Sequence, residues 1–189
     1  FDPLGMNDTR FEVEPHMASR LAKVTARRED GQIRDFELSP PSRPEFYGMG
    51  HALYSTAPDY MRFVRMHLNR GALEGKRIIS AANHEQLLAN QIGGLKIERM
   101  VSVAPVVSAD VDIFPHHRKS HSFTFMRMEE DVASMRSAGS QFWAGVLNTH
   151  FWFDPAKDMA GIIMTQMLPF ADPRFMKVYE AFEHAAYAA

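Results

Sequence analysis

The C-terminal part of the chain, residues 141–189, constrains the fold most strongly, because two apolar runs flank a turn and a capped helix follows them. Residues 141–153 are apolar and aromatic, and residues 159–168 are rich in β-branched and other apolar side chains. The sequence between them, Asp154-Pro155-Ala156-Lys157-Asp158, has the composition of a hairpin turn. Asp172 and Pro173 then fit the cap and the first position of a helix. This order predicts an antiparallel sheet that is covered by a closing helix, whose apolar face would be Phe175, Val178, Tyr179 and Phe182.

The most regular helix signal lies in residues 55–71. Ser55 or Thr56 can cap this helix, and Gly71 can end it in a left-handed conformation. Apolar side chains recur at helical spacing and predict its buried face, namely Tyr60, Phe63, Val64, His67 and Leu68. A second, shorter helix is predicted over residues 80–90.

The remaining segments carry weaker and shorter signals. Residues 18–28 are predicted as either a helix or a short extended segment, and residues 29–32 as a turn between two polar strands. Residues 39–44 are predicted as a loop because they hold three prolines. Residues 122–128 alternate and predict a strand, whereas the apolar run 101–111 contains a proline that argues against a central strand. Helices and strands together place the chain in the α+β class.

Composition excludes several function classes. Lys and Arg number 21 against 23 Asp and Glu, so no basic excess exists to bind a phosphate backbone, and we expect no nucleic-acid partner. No apolar run approaches the roughly 20 residues that cross a bilayer, so we expect no membrane span. The chain has 0 cysteines, which excludes disulfides, a cysteine nucleophile and thiolate metal ligands, and leaves the compartment open.

The sequence contains few of the short motifs that mark catalytic, phosphate-binding or metal-binding sites. No serine precedes a lysine by three residues, and neither a G-x-S-x-G elbow nor a glycine-rich phosphate loop is present. His116, His117 and His121 have a spacing that metal sites use, but Arg118 and Lys119 place positive charge beside any cation. We therefore predict an exposed loop there, with no metal site and no cofactor.

Residues 140–155 are the segment with the clearest chemical potential. The small residues Ala144 and Gly145 allow a ligand to approach the backbone of a strand closely. At a sheet edge, free N–H groups of such a strand can stabilise the oxyanion of an acyl-transfer intermediate. An ordinary core strand that carries a tryptophan is the alternative interpretation of the same residues.

Several stretches resemble the serine β-lactamase-like family, which includes class C β-lactamases, penicillin-binding DD-peptidases, family VIII carboxylesterases and related transacylases. Residues 50–63, GHALYSTAPDYMRF, are similar to the family segment GGLYSTAxDYxRF. Further similar stretches follow the family order over nearly the whole chain: PLGMNDT at 3–9, LEGKRIIS at 73–80, WAG at 143–145, FWFDP at 151–155 and TQMLPFADP at 165–173.

The resemblance implies a β-lactamase/transpeptidase-like fold that is present here in part. The family's catalytic Ser and Lys would lie upstream, so we expect a missing N-terminal portion of the same protein, and a chain that is inactive alone. Residues 1–115 would belong to the helical lobe, and residues 116–189 would form the C-terminal strands and closing helix of the α/β lobe.

The resemblance also implies the site residues. Trp143, Ala144 and Gly145 would stand where the family usually has Lys-Thr-Gly, and the Val146 N–H would be one oxyanion-hole donor. Because Trp143 offers an apolar wall instead of a cation, we expect a small-molecule ester as the substrate, as in the carboxylesterases. A β-lactamase, which would take a β-lactam substrate, or a DD-peptidase or transacylase of the same family is one alternative. A non-catalytic binding module that keeps the fold is another.

Overall fold

The computed structural model describes residues 1–38, 41, 43–48 and 50–189. Part of the predicted loop at 39–44 therefore lies outside the described residues. The helices are α1 Pro15–Ala18, α2 Ala57–Leu68, α3 Ala81–Leu88 and α4 Pro173–Ala188, with a 3₁₀ turn at Asp2–Leu4. The strands are β1 Thr25–Arg27, β2 Ile33–Asp35, β3 Ala72–Leu73, β4 Lys76–Arg77, β5 Lys119–His121, β6 Met126–Met128, β7 Gln141–Gly145, β8 Thr149–Asp154, β9 Met159–Ile163 and β10 Met167–Leu168.

A five-stranded antiparallel sheet in the order β5-β6-β7-β8-β9 forms the centre of the fold. Both faces of β8 are buried, because its side chains alternate between two apolar clusters. Trp152 packs with α4 on one face, and Phe151 and Phe153 pack with α2 on the other. The neighbouring position on β9 must be Gly161, since a Cβ there would lie 2.0 Å from Cη2 of Trp152. The predicted antiparallel sheet between helices is confirmed.

Both helices predicted in the first half are confirmed. Thr56 caps α2 by accepting a hydrogen bond from the N–H of Asp59 at 3.3 Å, and Ser80 caps α3 by accepting one from Asn83 at 3.2 Å. Gly71, with φ 88°, follows α2 as the predicted left-handed stop. The predicted face of α2 points inward, with Val64 fully buried.

Helix α4 begins as predicted, but half of its predicted apolar face is wrong. Asp172 caps it by accepting the N–H of Phe175 at 2.9 Å. Phe175 and Tyr179 are buried, whereas Val178 is 58% exposed and Phe182 is 39% exposed. The buried side chain one turn beyond Tyr179 is instead that of Glu183, because a buried arginine pairs with it.

Several predicted strands are shorter than their apolar runs. The strand predicted over 122–128 is confined to β6, because the Ser122 hydroxyl accepts the N–H of Phe125 and closes a turn. The run 159–168 is divided between β9 and β10, and β10 leaves the main sheet to pair in parallel with β1. Of residues 18–28, only β1 is extended, and it forms the predicted hairpin with β2.

The remaining expectations concern residues 101–111, a membrane span and the boundary between the lobes. Residues 101–111 form no strand and make two isolated bridges, Val111 with Met100 and Ser108 with Phe170. Among the described residues, no helix has the length and apolar character that a bilayer crossing requires. The division into lobes at 115/116 stays a prediction.

Candidate active site

Strand β7 has one edge that is only partly covered. It pairs with β8 along its whole length, from Gln141 to Gly145, but it pairs with β6 only through Gln141 and Phe142. The reason is that β6 begins at Met126, after the turn that Ser122 closes. The backbone of Trp143, Ala144 and Gly145 therefore has β8 on one side, and no strand formed by the described residues covers the other.

Val146 lies at the end of this open edge. Its N–H has no hydrogen-bond acceptor among the described residues, and its side chain is 48% exposed. Trp143 is 41% exposed on the same strand, and Gly145 is also exposed. A strand-end N–H that is open to an incoming group can donate to a developing oxyanion. The four predicted site residues are thus contiguous at one accessible edge.

Hydrogen bonds from residues 165–167 hold the turn that follows β7. The carbonyl of Leu147 accepts the N–H of Met167 at 3.1 Å and the Thr165 hydroxyl at 2.8 Å. Asn148, which is fully buried, closes the turn by donating its N–H to the carbonyl of Gly145 at 3.0 Å. The roles of Thr165 and Asn148 could not be predicted from the sequence, because their partners lie about twenty residues away in the chain.

His121 is a second residue that the structure brings to the site. Its ring lies edge-on to Trp143, with centroids 5.3 Å apart, and its Nδ1 hydrogen-bonds the Ser122 carbonyl oxygen. The predicted exposed loop for the three histidines is right for His116 and wrong for His121, which is half-buried at the end of β5. It is also wrong for His117, which is half-buried with its Nδ1 inaccessible to solvent. No group of three metal-binding side chains occurs in the part of the chain that the structure describes.

The stretches near residues 3–9 and 50–63 have a structural role in this chain. Asp59 of α2 accepts the backbone N–H of Asp8 at 2.7 Å and the hydroxyl of Thr9 at 3.0 Å. Arg62 donates to the carbonyl of Leu4. These contacts tie the N-terminal segment to α2, which packs behind β8 and β9.

The histidine beneath the site carries no charge at neutral pH. His150, which pairs with Ala144 across the hairpin, is buried between the sheet and α4. Burial, assisted by the charge of Arg136, lowers the pKa of His150 to about 4. Its imidazole is therefore neutral at pH 7, and the sheet contributes the site's backbone geometry instead of a titrating base.

Comparisons with known proteins agree with this architecture. Two curated proteins of Mycobacterium tuberculosis, uncharacterized protein MT1414 of strain CDC 1551 / Oshkosh and protein Rv1367c of strain ATCC 25618 / H37Rv, are each 40% identical over 174 residues. The match covers 88% of this chain and 41% of each relative. The chain thus spans about two fifths of the length of the curated relatives it matches.

Solved structures resemble the chain over nearly its whole length. The simvastatin synthase LovD from Aspergillus terreus superposes with a TM-score of 0.79 at 22% identity, covering 99% of this chain and 47% of LovD. EstCE1, a hydrolase with promiscuous acyltransferase activity, has a TM-score of 0.63 at 16% identity, with 95% of this chain and 47% of EstCE1 covered. A penicillin-binding protein homolog from Caulobacter crescentus has a TM-score of 0.59 at 19% identity, with 97% and 49% covered.

At these identities the structural neighbours establish the fold, which is β-lactamase/transpeptidase-like as the resemblance implied. A family model extends the agreement to the sequence, because it matches residues 1–186. The chain therefore belongs to the beta-lactamase family.

Proposed function

We propose that this chain is the C-terminal part of a serine hydrolase that cleaves esters through an acyl-enzyme. The observation that carries the proposal is the unengaged Val146 N–H at the open edge of β7. Acyl-transfer enzymes need a preorganised donor of this kind where negative charge develops on the carbonyl oxygen. Family membership supports the same chemistry.

In the proposed reaction, the hydroxyl of a serine from the missing portion attacks the ester carbonyl carbon while a lysine of that portion takes its proton. The Val146 N–H and the serine's own N–H donate to the oxyanion. Collapse of the intermediate breaks the ester C–O bond and releases the alcohol with the proton held by the lysine. Water then hydrolyses the acyl-serine and regenerates the hydroxyl.

Trp143 supports esters over substrates that carry a carboxylate. Its indole is 41% exposed at the open edge, and it packs against the ring of His121. An aromatic wall favours an apolar acyl or alcohol group, whereas a lysine at this position would pair with a carboxylate. Transfer of the acyl group to an alcohol instead of water is the second candidate activity, and the structural similarity to EstCE1, a hydrolase with promiscuous acyltransferase activity, favours it.

The test compares the complete protein with the 189-residue chain on p-nitrophenyl butyrate. We expect the complete protein to turn over the ester and to show the mass of one added butyryl group when the reaction is quenched early. The chain alone should match a heat-killed control. Turnover by the chain alone, or a complete protein without a Ser-x-x-Lys and without turnover, would contradict the proposal; the latter result would support a non-catalytic binding module.

Mass spectrometry of the intact protein complements the assay. It distinguishes one continuous polypeptide from a second chain that carries the missing portion. An added alcohol acceptor in the same assay, with the ester product measured, separates hydrolysis from acyl transfer.

A further inference from the structure

The turn between β7 and β8 contains one buried polar side chain with no exposed surface, that of Asn148. Its side-chain nitrogen Nδ2 donates to the carbonyl oxygens of Met167 and Pro169, both at 2.8 Å. Its side-chain oxygen Oδ1 accepts the N–H of Ala171, also at 2.8 Å. The Asn148 side chain thus makes two hydrogen bonds as a donor and one as an acceptor to residues 167–171. Among side chains, only an amide offers two donors together with an acceptor.

Asn148 also has a backbone conformation that few residues adopt. Its φ is 59°, in the left-handed region that glycine and asparagine tolerate best. This conformation returns the chain from the turn into β8, so that Thr149 pairs with Gly145, and the Asn148 N–H closes the turn on the Gly145 carbonyl oxygen at 3.0 Å. The backbone of Asn148 therefore ends the turn, while its side chain anchors the turn to residues 167–171.

The residues on either side of the Val146 N–H are both anchored. Gly145 precedes it and pairs with Thr149 in the hairpin. Leu147 follows it, and its carbonyl is held by Met167 and by the Thr165 hydroxyl. The Val146 amide is thus oriented by its neighbours while its own hydrogen remains available.

Residues 167–171, to which the Asn148 side chain hydrogen-bonds, are themselves fixed by further contacts. They lead directly into Asp172, which caps α4 through the N–H of Phe175 and pairs with Arg27 at 2.7 Å. Asp172 is buried, so this ion pair is shielded from solvent on the carboxylate side. A donor that is fixed in this way loses little by reorganising when charge develops, which is the basis of oxyanion-hole catalysis.

We propose that Asn148 is the positioning residue of the oxyanion hole: its side-chain amide holds the turn so that the Val146 N–H points into the substrate edge. This inference rests on the proposed function. Asn148 touches no reacting atom and acts through the orientation of Val146.

The experiment uses the complete protein and three variants. N148G keeps the left-handed backbone at no steric cost and removes all three side-chain hydrogen bonds. D154N is the matched control: Asp154 is equally buried at the other end of β8, where it accepts N–H groups of Ser137 and Ala156. T165V removes the hydroxyl that holds the Leu147 carbonyl.

For N148G we expect kcat on p-nitrophenyl butyrate to fall about 10- to 100-fold with KM changed less than about twofold, because a displaced oxyanion donor acts on the transition state. D154N should lower the melting temperature by a similar amount and leave kcat within about twofold of wild type. T165V should lower kcat in the same direction by a smaller factor.

Wild-type kcat in N148G overturns the inference, as does a loss of kcat in D154N equal to that in N148G at the same loss of stability. If N148G does not fold, the T165V variant tests the inference instead, and a wild-type kcat in T165V overturns the inference. If the wild-type protein shows neither turnover nor an acyl adduct, the proposed function is refuted, and this inference is refuted with it. If the wild type is active and N148G is equally active, only this inference is refuted.

Discussion

Replacing Glu183 with glutamine should strongly destabilise the fold, because it leaves the buried guanidinium of Arg136 without a counter-charge. Arg136 is 0% exposed and Glu183 is 1% exposed, so neither charge is solvated by water. The Arg136 Nη2 lies 2.8 Å from Glu183 Oε2 and 2.7 Å from the Tyr179 hydroxyl oxygen, and its Nε also donates to Glu183.

Breaking a buried pair by removing one partner costs about 3–5 kcal/mol. Part of this cost is offset here, because the guanidinium carbon lies 4.5 Å from the ring centre of Phe142 and 4.8 Å from that of Phe114, and both rings attract a cation. We therefore expect a loss of about 3 kcal/mol in the free energy of unfolding.

The assay is urea unfolding of the complete protein as wild type, E183Q, R136M and the double variant. Methionine replaces the arginine because it fills the aromatic slot without a charge. The double variant should be more stable than the sum of the two single losses implies, by about 2 kcal/mol, since neither charge is then left unpaired. Additive losses, or an E183Q variant within about 0.5 kcal/mol of wild type, would refute the reasoning.

Two further predictions concern acid stability and substrate choice. Burial, and to a smaller extent the charge of the nearby His84, lowers the pKa of His67 to about 3, so the folded state excludes a proton that the unfolded chain binds below about 6.5. His67 should therefore lower the free energy of unfolding by about 1.4 kcal/mol per pH unit as the pH decreases from 6.5 towards 3, in addition to the loss from His150, whose pKa is lowered to about 4. Urea midpoints measured across this range should lose that slope in H67F, and an unchanged slope would exclude His67 as its source. In the complete protein, W143K should raise kcat/KM for carboxylate-bearing β-lactams relative to p-nitrophenyl butyrate, since it restores a cation at the open edge; an unchanged ratio would argue against Trp143 as part of the acyl pocket.

Much of the fold could be predicted from the sequence where the signal is local. The caps of α2, α3 and α4 were predictable, because a cap side chain and the N–H that it accepts are three residues apart. The turn at 154–158 was predictable for the same reason, since its composition permits few other conformations. These elements needed no knowledge of the rest of the chain.

The strand ends and the buried face of α4 were not predictable in this way. Apolar runs at 122–128 and 159–168 indicate extended chain, but the point where each strand ends depends on its neighbours in the sheet. Two residues of α4 have the opposite burial from the one their polarity predicts. Val178 is apolar but exposed, and Glu183 is charged but buried, because Arg136, 47 residues away, pairs with it.

For the candidate site, the sequence by itself determined one apolar run that contains the small residues Ala144 and Gly145, and the resemblance of its motifs indicated the chemistry. Only the tertiary structure decided that a turn divides this run into β7 and β8, that β6 begins too late to cover the edge of β7, and that Asn148 anchors the turn to a segment 19–23 residues further on. The physical reason is that backbone conformation follows from neighbouring residues, whereas the accessibility and the direction of a single N–H depend on contacts between distant parts of the chain.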